Sequence, residues 1–191
     1  MKGVVFNLFE QAVTDEHGEG SWEALLEAAD VDGAYTSLGS YPDEEFTKLV
    51  AAASSSFGRP KEDVVRWFGR AALPLLASSY PQFFEPHSSS RSFMLTLNDI
   101  IHPEVKKLYS GAEVPVFTYY PAPDDGLLMG YKSSRMLCHF GEGLIEGAAA
   151  HYNEQVKVEQ PKCMLRGDEQ CLYWVAYPKE GQSSASGGSR S

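Results

Sequence analysis

The sequence has few cysteines, few basic residues and no long apolar run, and each shortage excludes a class of protein. Three cysteines in 191 residues cannot build a framework of several disulfides. Sixteen Lys and Arg residues against 26 Asp and Glu residues give a formal charge of −10, which does not suit a phosphate-binding surface. No stretch reaches the roughly 18–20 apolar residues that cross a bilayer. We therefore expect neither a nucleic-acid partner nor a membrane partner.

The N-terminal residues also lack the long apolar core of a secretory signal, because Asn7 and Glu10 interrupt it. We therefore expect a cytoplasmic protein with reduced cysteines. A hydrophobic fraction of 43% in a chain of 191 residues is typical of one globular domain. We predict a single domain over residues 1–180, followed by a flexible tail or linker over residues 181–191, where Gly and Ser dominate.

The first two-thirds of the sequence carry apolar residues at helical spacing. Val5, Leu8 and Phe9 lie three and four positions apart, which places them on one face of a helix. Pro42 predicts a helix start, because proline tolerates the first turn and the acidic residues after it complement the helix dipole. Pro74 is expected to bend or end a later helix. This part of the chain is therefore predicted to be helical.

The segment over residues 92–111 combines a helical apolar face with a histidine. Leu97 and Ile101 lie four positions apart, and His102 follows directly before Pro103. Because a residue before proline is disfavoured in helical geometry, we expect the helix to kink or restart at His102.

Strand signals begin after Val114. Two strands are predicted at 114–120 and 127–135, with a turn at 123–126 between them. A helix is predicted at 136–152, and a last strand at 171–177. The expected fold class is α+β: a helical N-terminal subdomain, followed by an antiparallel sheet subdomain with a packed helix.

His102 follows Ile100 and Ile101 on a face that is predicted to pack on the core. Burying a charged imidazole there would be costly, whereas a neutral imidazole that coordinates a metal ion avoids the cost. A solvated or hydrogen-bonded histidine is the alternative.

Tyr131, Ser133 and Arg135 alternate in sequence, so in a strand they would share one face. A phenol, a hydroxyl and a guanidinium together form a donor-rich patch that suits carboxylates, which arginine can bind through two hydrogen bonds. The alternative is an edge strand whose polar face is simply solvated.

These residues match a known family signature. Tyr131, Ser133 and Arg135 form the pattern Tyr-x-Ser-x-Arg, and His102-Pro103 precedes it in the expected order. Met1-Lys2-Gly3, Pro115 and the glycine-bounded stretch 143–147 also fall in order, so the likeness covers residues 1–180. The sequence resembles the H-NOX (haem nitric oxide/oxygen binding) domains, which are homologous to the haem domain of soluble guanylate cyclase.

The resemblance implies that haem b lies between the two subdomains. His102 would be the axial iron ligand, while Tyr131, Ser133 and Arg135 would bind the propionates. Pro115 corresponds to the residue that presses on the porphyrin and distorts it. The resemblance also implies five residues that line the distal pocket, where plain core packing is the alternative: Val5, Phe9, Ala72, Phe140 and Leu144.

The resemblance also bears on the choice of gas. Oxygen-binding members place a tyrosine at the position of Phe140, and its hydroxyl donates to bound dioxygen. Neither Phe140 nor Ala72 supplies a donor, which implies a sensor of nitric oxide that also binds carbon monoxide and excludes oxygen. In the family, nitric oxide weakens or breaks the bond to the proximal histidine, here His102. That would free its helix and let the porphyrin flatten against Pro115.

A second metal is suggested near the C-terminus. Some H-NOX relatives hold structural zinc in this region, and Cys138, His139, Cys163 and Cys171 offer the thiolate and imidazole ligands that tetrahedral zinc accepts. Their spacing is not that of a short Cys-x-x-Cys knuckle, and free cysteines in a reducing cytosol are the alternative.

We therefore expect a sensor and not an enzyme. No output motif fits in this length, so the surface that changes would act on a separate signalling protein, such as the histidine kinase or diguanylate cyclase that bacterial relatives commonly partner. Two alternatives stay open: a haem enzyme of the peroxidase type, and a haem-free, zinc-stabilised ligand-binding or interaction domain.

Overall fold

The first part of the chain is helical in the structure, a computed structural model that describes residues 1–122 and 125–178. Six α-helices of the described chain precede its sheet: α1 (Gly3–His17), α2 (Ser21–Ala29), α3 (Asp43–Phe57), α4 (Lys61–Ser79), α5 (Ser90–Met94) and α6 (His102–Leu108). A 3₁₀ turn at Pro81–Phe83 follows α4, and a π-helical turn at Leu97–Ile101 joins α5 to α6.

The second part is a four-stranded antiparallel sheet in the order β1-β2-β4-β3. Its strands are β1 (Val116–Tyr120), β2 (Leu127–Lys132), β3 (Lys157–Lys162) and β4 (Cys171–Ala176), and helix α7 (Cys138–His151) follows β2. Burial alternates along β4 because successive side chains point to opposite faces of the sheet. The predicted α+β class, a helical part followed by an antiparallel sheet with a packed helix, is confirmed.

Local sequence signals explain several helix ends. Helix α3 begins directly after Pro42 and has acidic residues in its first turn, where they complement the helix dipole. It ends at Gly58, whose φ of 63° is a left-handed conformation that glycine adopts without strain. Pro74 lies inside α4 and does not end it, since the helix continues to Ser79.

Helices α4 and α7 are packed backbone to backbone. A Cβ atom on Gly143 of α7 would lie 2.0 Å from the backbone oxygen of Arg66 on α4, so this position excludes a side chain. Arg66 Nη1 lies 3.1 Å from Glu142 Oε1, and its guanidinium also pairs with Glu146. This helix pair joins the helical part of the chain to the sheet part.

The buried residues form two hydrophobic cores. One lies within the helical part and includes Phe68, and the other packs the sheet against α7 around Tyr173. Phe140 packs against the first core, whereas Leu144, one turn further along α7, packs against the second. Helix α7 therefore borders both cores.

The break in the histidine segment comes before His102. The irregularity is the π-helical turn Leu97–Ile101, and His102 itself has helical angles, φ −67° and ψ −36°. The α-helix therefore restarts at His102, as expected, although His102 itself keeps helical geometry. Pro103 occupies the first turn of α6, where its missing N–H costs nothing.

The second strand is shorter than predicted. β2 ends at Lys132, so Ser133 and Arg135 lie beyond it, in the connection to α7. That connection includes Met136, which has a positive φ of 50°. Strand alternation is therefore the wrong reason for placing Ser133 and Arg135 beside Tyr131.

Two predicted features fall wholly or partly on residues that the structure does not describe. These are the turn at 123–126, of which residues 123 and 124 lie outside the described chain, and the tail at 181–191. None of the helices in the described ranges has both the length and the apolar character needed to cross a bilayer.

Candidate functional site

A cavity of about 490 Å³ lies between the helical part and the sheet. Its wall is mainly apolar and draws on α1, α4, α6, α7 and the strands β1 and β2. The volume falls within the range of about 300–1,000 Å³ that is typical of sites for cofactors and other small ligands. The polar side chains of this wall decide what the cavity can bind.

His102 lines the cavity at the start of α6. Burial lowers the pKa of its imidazole to about 4, against a smaller opposing effect of the Pro115 backbone, and nearby Lys106 lowers it further. The ring is therefore neutral at pH 7. Its Nδ1 atom is enclosed and has no hydrogen-bond partner in the described chain, so the imidazole carries a buried polar atom that nothing satisfies. A neutral imidazole on an apolar wall fits the axial ligand of a haem iron.

The predicted carboxylate clamp assembles at another part of the cavity wall. Tyr131, Ser133 and Arg135 all line the cavity. The Ser133 hydroxyl accepts a hydrogen bond from the backbone N–H of Arg135 at 3.3 Å, which holds the turn that brings the two side chains together. Burial raises the pKa of Tyr131 to about 12, so its hydroxyl stays a hydrogen-bond donor. The structure therefore brings the three residues together by a turn and not by a continuing strand.

Arg135 is already paired with two carboxylates. Its Nε atom lies 2.9 Å from Asp43 Oδ2, and its Nη1 atom lies 3.3 Å from Glu113 Oε2. Asp43 belongs to the first turn of α3, so this ion pair links the helical part to the segment after β2. The two contacts fix the guanidinium at the cavity and leave it further N–H donors for an acidic ligand.

Pro115 lines the cavity directly before β1. Next to it, the backbone of Phe117 exchanges two hydrogen bonds with the side chain of Asn98 in the π-helical turn, at 2.7 and 3.0 Å. The Phe117 ring stacks near His102, with centroids 5.6 Å apart. Pro115 is therefore held in place beside the histidine segment. A residue that presses on a cofactor must be held in this way.

Three of the five predicted distal residues line the cavity, namely Val5, Phe140 and Leu144. Phe9 and Ala72 do not; they are fully buried in the helical core behind the wall. Their neighbours Leu8 on α1 and Leu73 and Leu76 on α4 line the cavity instead. Each residue of an α-helix is turned by about 100° from the next, so a one-position error moves a side chain off the face.

The sequence analysis missed two tyrosines. Tyr80 at the end of α4 and Tyr109 at the end of α6 both line the cavity, and their hydroxyls are hydrogen-bonded to each other. The two residues lie 29 positions apart in the chain, and no local pattern indicates that they meet. The only signal in the sequence for either residue was that a tyrosine comes directly after a predicted apolar helix.

Three of the four predicted zinc ligands come together. The sulfur atoms of Cys138, Cys163 and Cys171 lie within 4.8 Å of one another, and all three residues are buried. Cys138 and Cys171 share a hydrogen bond at 3.1 Å, and Met164 N–H also donates to Cys171. The bond between the two thiols lowers the pKa of Cys171, with help from the Met164 N–H, and raises that of Cys138.

His139 is not part of this group. Its Nδ1 atom lies 3.4 Å from Glu142 Oε2 on the same helix, and the side chain is partly exposed. Because consecutive helical residues point in different directions, burying Cys138 among the thiols turns His139 away from them. The described residues therefore supply three sulfur ligands and no imidazole.

The comparisons with known proteins agree with this site. The family described as "Haem-NO-binding" matches residues 2–160. Among curated protein sequences, none matches the chain. The structure of an H-NOX protein from Shewanella oneidensis in the Fe(II)NO ligation state is similar, with 31% identity, coverage of 94% of this chain and 100% of that one, and a TM-score of 0.87.

Two further solved structures extend the likeness to other organisms. The Fe(II) unliganded H-NOX protein from K. algicida is 25% identical over 96% of this chain and 100% of that one, with a TM-score of 0.83. The IWP-051-bound H-NOX from Shewanella woodyi in the Fe(II)CO state is 28% identical over 97% and 98%, with a TM-score of 0.81.

H-NOX domains are haem-binding gas sensors and not enzymes, so the prediction of a non-catalytic role is confirmed by family membership. Membership of this family also argues against the two alternatives, a haem enzyme of the peroxidase type and a haem-free, zinc-stabilised domain. The matched range, the shared fold and the positions of His102 and the Tyr-x-Ser-x-Arg residues lead to one conclusion: the chain belongs to the H-NOX family.

Proposed function

We propose that this chain is a nitric oxide sensor that binds haem b through His102 and signals to a separate protein. Bound haem supplies the ferrous iron that takes up a diatomic gas. The observation that carries the proposal is the neutral imidazole of His102 on the wall of a mainly apolar cavity of about 490 Å³. Such an imidazole needs no proton removed before it coordinates iron.

Tyr131, Ser133 and Arg135 would hold the propionates. Tyr131 donates through its protonated hydroxyl, and Arg135 contributes a charge-assisted hydrogen bond. Because Asp43 and Glu113 already orient the Arg135 guanidinium, little side-chain entropy is lost when a propionate binds there.

The gas selectivity follows from what the distal wall lacks. Val5, Phe140 and Leu144 line that wall, and none has a hydrogen-bond donor in its side chain. Bound dioxygen gains from a donor, whereas nitric oxide and carbon monoxide need none. The wall therefore favours nitric oxide and carbon monoxide over oxygen.

Signal output would begin at His102. His102 would hold the iron and Pro115 would press on the cofactor, and nitric oxide would act by weakening the bond to His102, which would free helix α6 and relax the contact of Pro115. The helical part and the sheet part then shift relative to each other, and a histidine kinase or a diguanylate cyclase would read the changed surface. This is a two-state switch whose balance depends on one coordination bond.

We also propose that Cys138, Cys163 and Cys171 hold a structural zinc ion. Three buried sulfurs within 4.8 Å of one another, with one thiol of low pKa, fit three of the four ligands of tetrahedral zinc. His139 is not the fourth ligand in this structure. Metal analysis of the purified chain should give one zinc per chain, and Cys163→Ser should abolish it. A zinc-free native chain would contradict this part of the proposal.

The main test replaces the proposed iron ligand. The haem-loaded His102→Gly variant should lose its native ferrous spectrum and recover it when imidazole is added, because the free base fills the vacated position. His151→Gly is a suitable control, since His151 lies at the end of α7 and does not line the cavity. A native ferrous spectrum in His102→Gly without nitric oxide and without added imidazole would refute the assignment.

A second test concerns the gas. In air, the ferrous wild type should form no stable oxygen complex, while Phe140→Tyr should gain one because it adds a donor to the distal wall. Phe140→Leu, which changes the side chain without adding a donor, should stay oxygen-free. A stable oxygen complex of the wild type would leave the fold intact but make the proposed gas wrong.

A further inference from the structure

Helix α6, which carries His102, packs lightly along its length, where Val105 lies partly buried against the core of the sheet part, and more firmly at its two ends. None of its seven residues is fully buried. The residues on either side of it are buried: Ile101 is 8% exposed and Tyr109 is 9% exposed. The position of His102 therefore depends mainly on whatever fixes these two ends.

The leading end is fixed through the π-helical turn. The Asn98 side chain donates to the carbonyl of Phe117 and accepts from its N–H, so the turn is bonded to the backbone of β1 in both directions. Ile101, at the end of the same turn, packs in the core of the sheet part. This end of α6 is anchored to the sheet.

The trailing end is fixed by a pair of phenols. The Tyr109 hydroxyl is hydrogen-bonded to the hydroxyl of Tyr80, the residue that directly follows α4. Burial, strengthened by the bond to Tyr80, raises the pKa of Tyr109, so its phenol stays protonated. Both rings line the same cavity as His102. Neither hydroxyl has another hydrogen-bond partner within the described chain.

From this geometry we propose that the Tyr80–Tyr109 pair tethers α6 to α4 and thereby opposes the release of His102 from iron. The proposal rests on the proposed function, in which His102 is the axial ligand. Tyr80 and Tyr109 are positioning residues, because they act on the iron ligand only through the helix. Since α4 also carries Leu73 and Leu76 of the cavity wall, the tether connects the iron ligand to the helical part of the molecule.

The experiment removes each hydroxyl and then both. Ferrous, haem-loaded chains carrying Tyr80→Phe, Tyr109→Phe and both changes are mixed with nitric oxide, and the rate of histidine release is followed in the Soret band. Each single variant should release His102 about threefold to tenfold faster, the change expected for loss of one neutral hydrogen bond. The double variant should be no faster than the singles, because all three lack the same bond.

Tyr152→Phe is the matched control. Its hydroxyl donates to the backbone oxygen of Phe84 at 2.8 Å, and Tyr152 does not line the cavity. The control should release His102 at the wild-type rate. A second measurement is hydrogen exchange of the α6 amides without nitric oxide, which should be faster in the Tyr80 and Tyr109 variants and unchanged in the control.

Unchanged release rates and unchanged α6 exchange in both single variants would overturn the tether, as would effects that multiply in the double variant. If the chain proves not to bind haem through His102, the proposed function fails instead. The exchange measurement on the haem-free chain then still decides whether the two hydroxyls hold α6.

Discussion

The α4–α7 pair and helix α6 border the same cavity but are stabilised in different ways. At α4–α7 the backbones touch, Gly143 leaves no room for a side chain, and Arg66 pairs with two glutamates. At α6 no residue is fully buried, and the helix depends mainly on Asn98 at one end and Tyr109 at the other. The first region resists any change in spacing, while the second can move once a few polar contacts break.

This difference suits a sensor. The proposed coordination bond to His102 would add one strong contact to a helix with no fully buried residue, so making or breaking that bond would have a large relative effect there. The same bond on α4 or α7 would compete with extensive packing. Four predictions test the contrast, from the largest expected effect to the smallest.

Gly143→Ala should damage the close-packed region most. Its new Cβ would lie 2.0 Å from the Arg66 backbone oxygen, so α4 and α7 must separate. We expect a loss of about 3 kcal/mol in the free energy of unfolding by urea, even though alanine alone favours a helix by about 1 kcal/mol. The control Ala150→Gly, at an exposed position of α7, should cost only about 1 kcal/mol. Similar losses in the two variants would contradict close packing at Gly143.

Acid should destabilise the haem-free chain through His102. Its pKa is about 4 in the folded chain and about 6.5 when unfolded, so as the pH falls the unfolded state takes up the proton first. The contribution of the neutral His102 imidazole to the free energy of unfolding is therefore complete above about pH 6.5, and up to about 3 kcal/mol of it is lost by pH 4. Urea titrations of the wild type and of His102→Leu should show a smaller acid loss in the variant. Parallel curves would show that the imidazole of His102 is not shielded from water as described.

Asn98→Ala should loosen the leading end of α6. It removes both hydrogen bonds to Phe117 and leaves that backbone N–H and carbonyl without their partner, at a cost of about 1–2 kcal/mol. Hydrogen exchange at α6 should rise, while exchange at α4 and α7 stays the same. The exposed neighbour Asp99 is the control site, and Asp99→Ala should leave hydrogen exchange unchanged in all three helices. Faster exchange at α4 as well would mean that the two regions are not independent.

Ile100→Gln should have the smallest effect. Ile100 is 51% exposed, and polar substitution there should stay within about 0.5 kcal/mol. Its neighbour Ile101 is only 8% exposed, so Ile101→Gln should cost about 3 kcal/mol by burying an amide in an apolar site. Thermal unfolding of both variants measures the difference. Equal losses of stability in the two variants would mean that the turn does not have the register described, with Ile101 inward and Ile100 outward.

The fold class was predictable because its signals are local. Apolar spacing, Pro42 and the acidic residues after it mark the helices, and strand patterning after Val114 marks the sheet. The two isoleucines before His102 gave only a weak signal for its place on the cavity wall, and its assignment as the iron ligand came from the family resemblance and stays a prediction. The roles of Tyr131, Ser133 and Arg135 came from the family signature, since the strand argument for them fails beyond Lys132.

What the sequence left unpredicted depends on contacts between distant residues. The meeting of Tyr80 with Tyr109 and of Asp43 with Arg135 requires the complete fold. Phe9 and Ala72 were misplaced because a small error in helical phase exchanges the cavity face for the core behind it. His139 was wrongly grouped with the cysteines, since nearness in sequence does not place it on the buried face of α7.

The π-helical turn Leu97–Ile101 also sets the position of the proposed iron ligand. A π-helical turn bonds residues five apart, one more than in an α-helix, and the Ile101 N–H donates to the Thr96 carbonyl in this way. Deleting Ile100 would remove one residue from this turn and would place His102 differently relative to the anchored residues before it. Every chemical group of the pocket would remain, yet the imidazole would lose its present place on the cavity wall. The number of residues between Leu97 and His102 is thus as necessary to the proposed metal centre as the histidine itself.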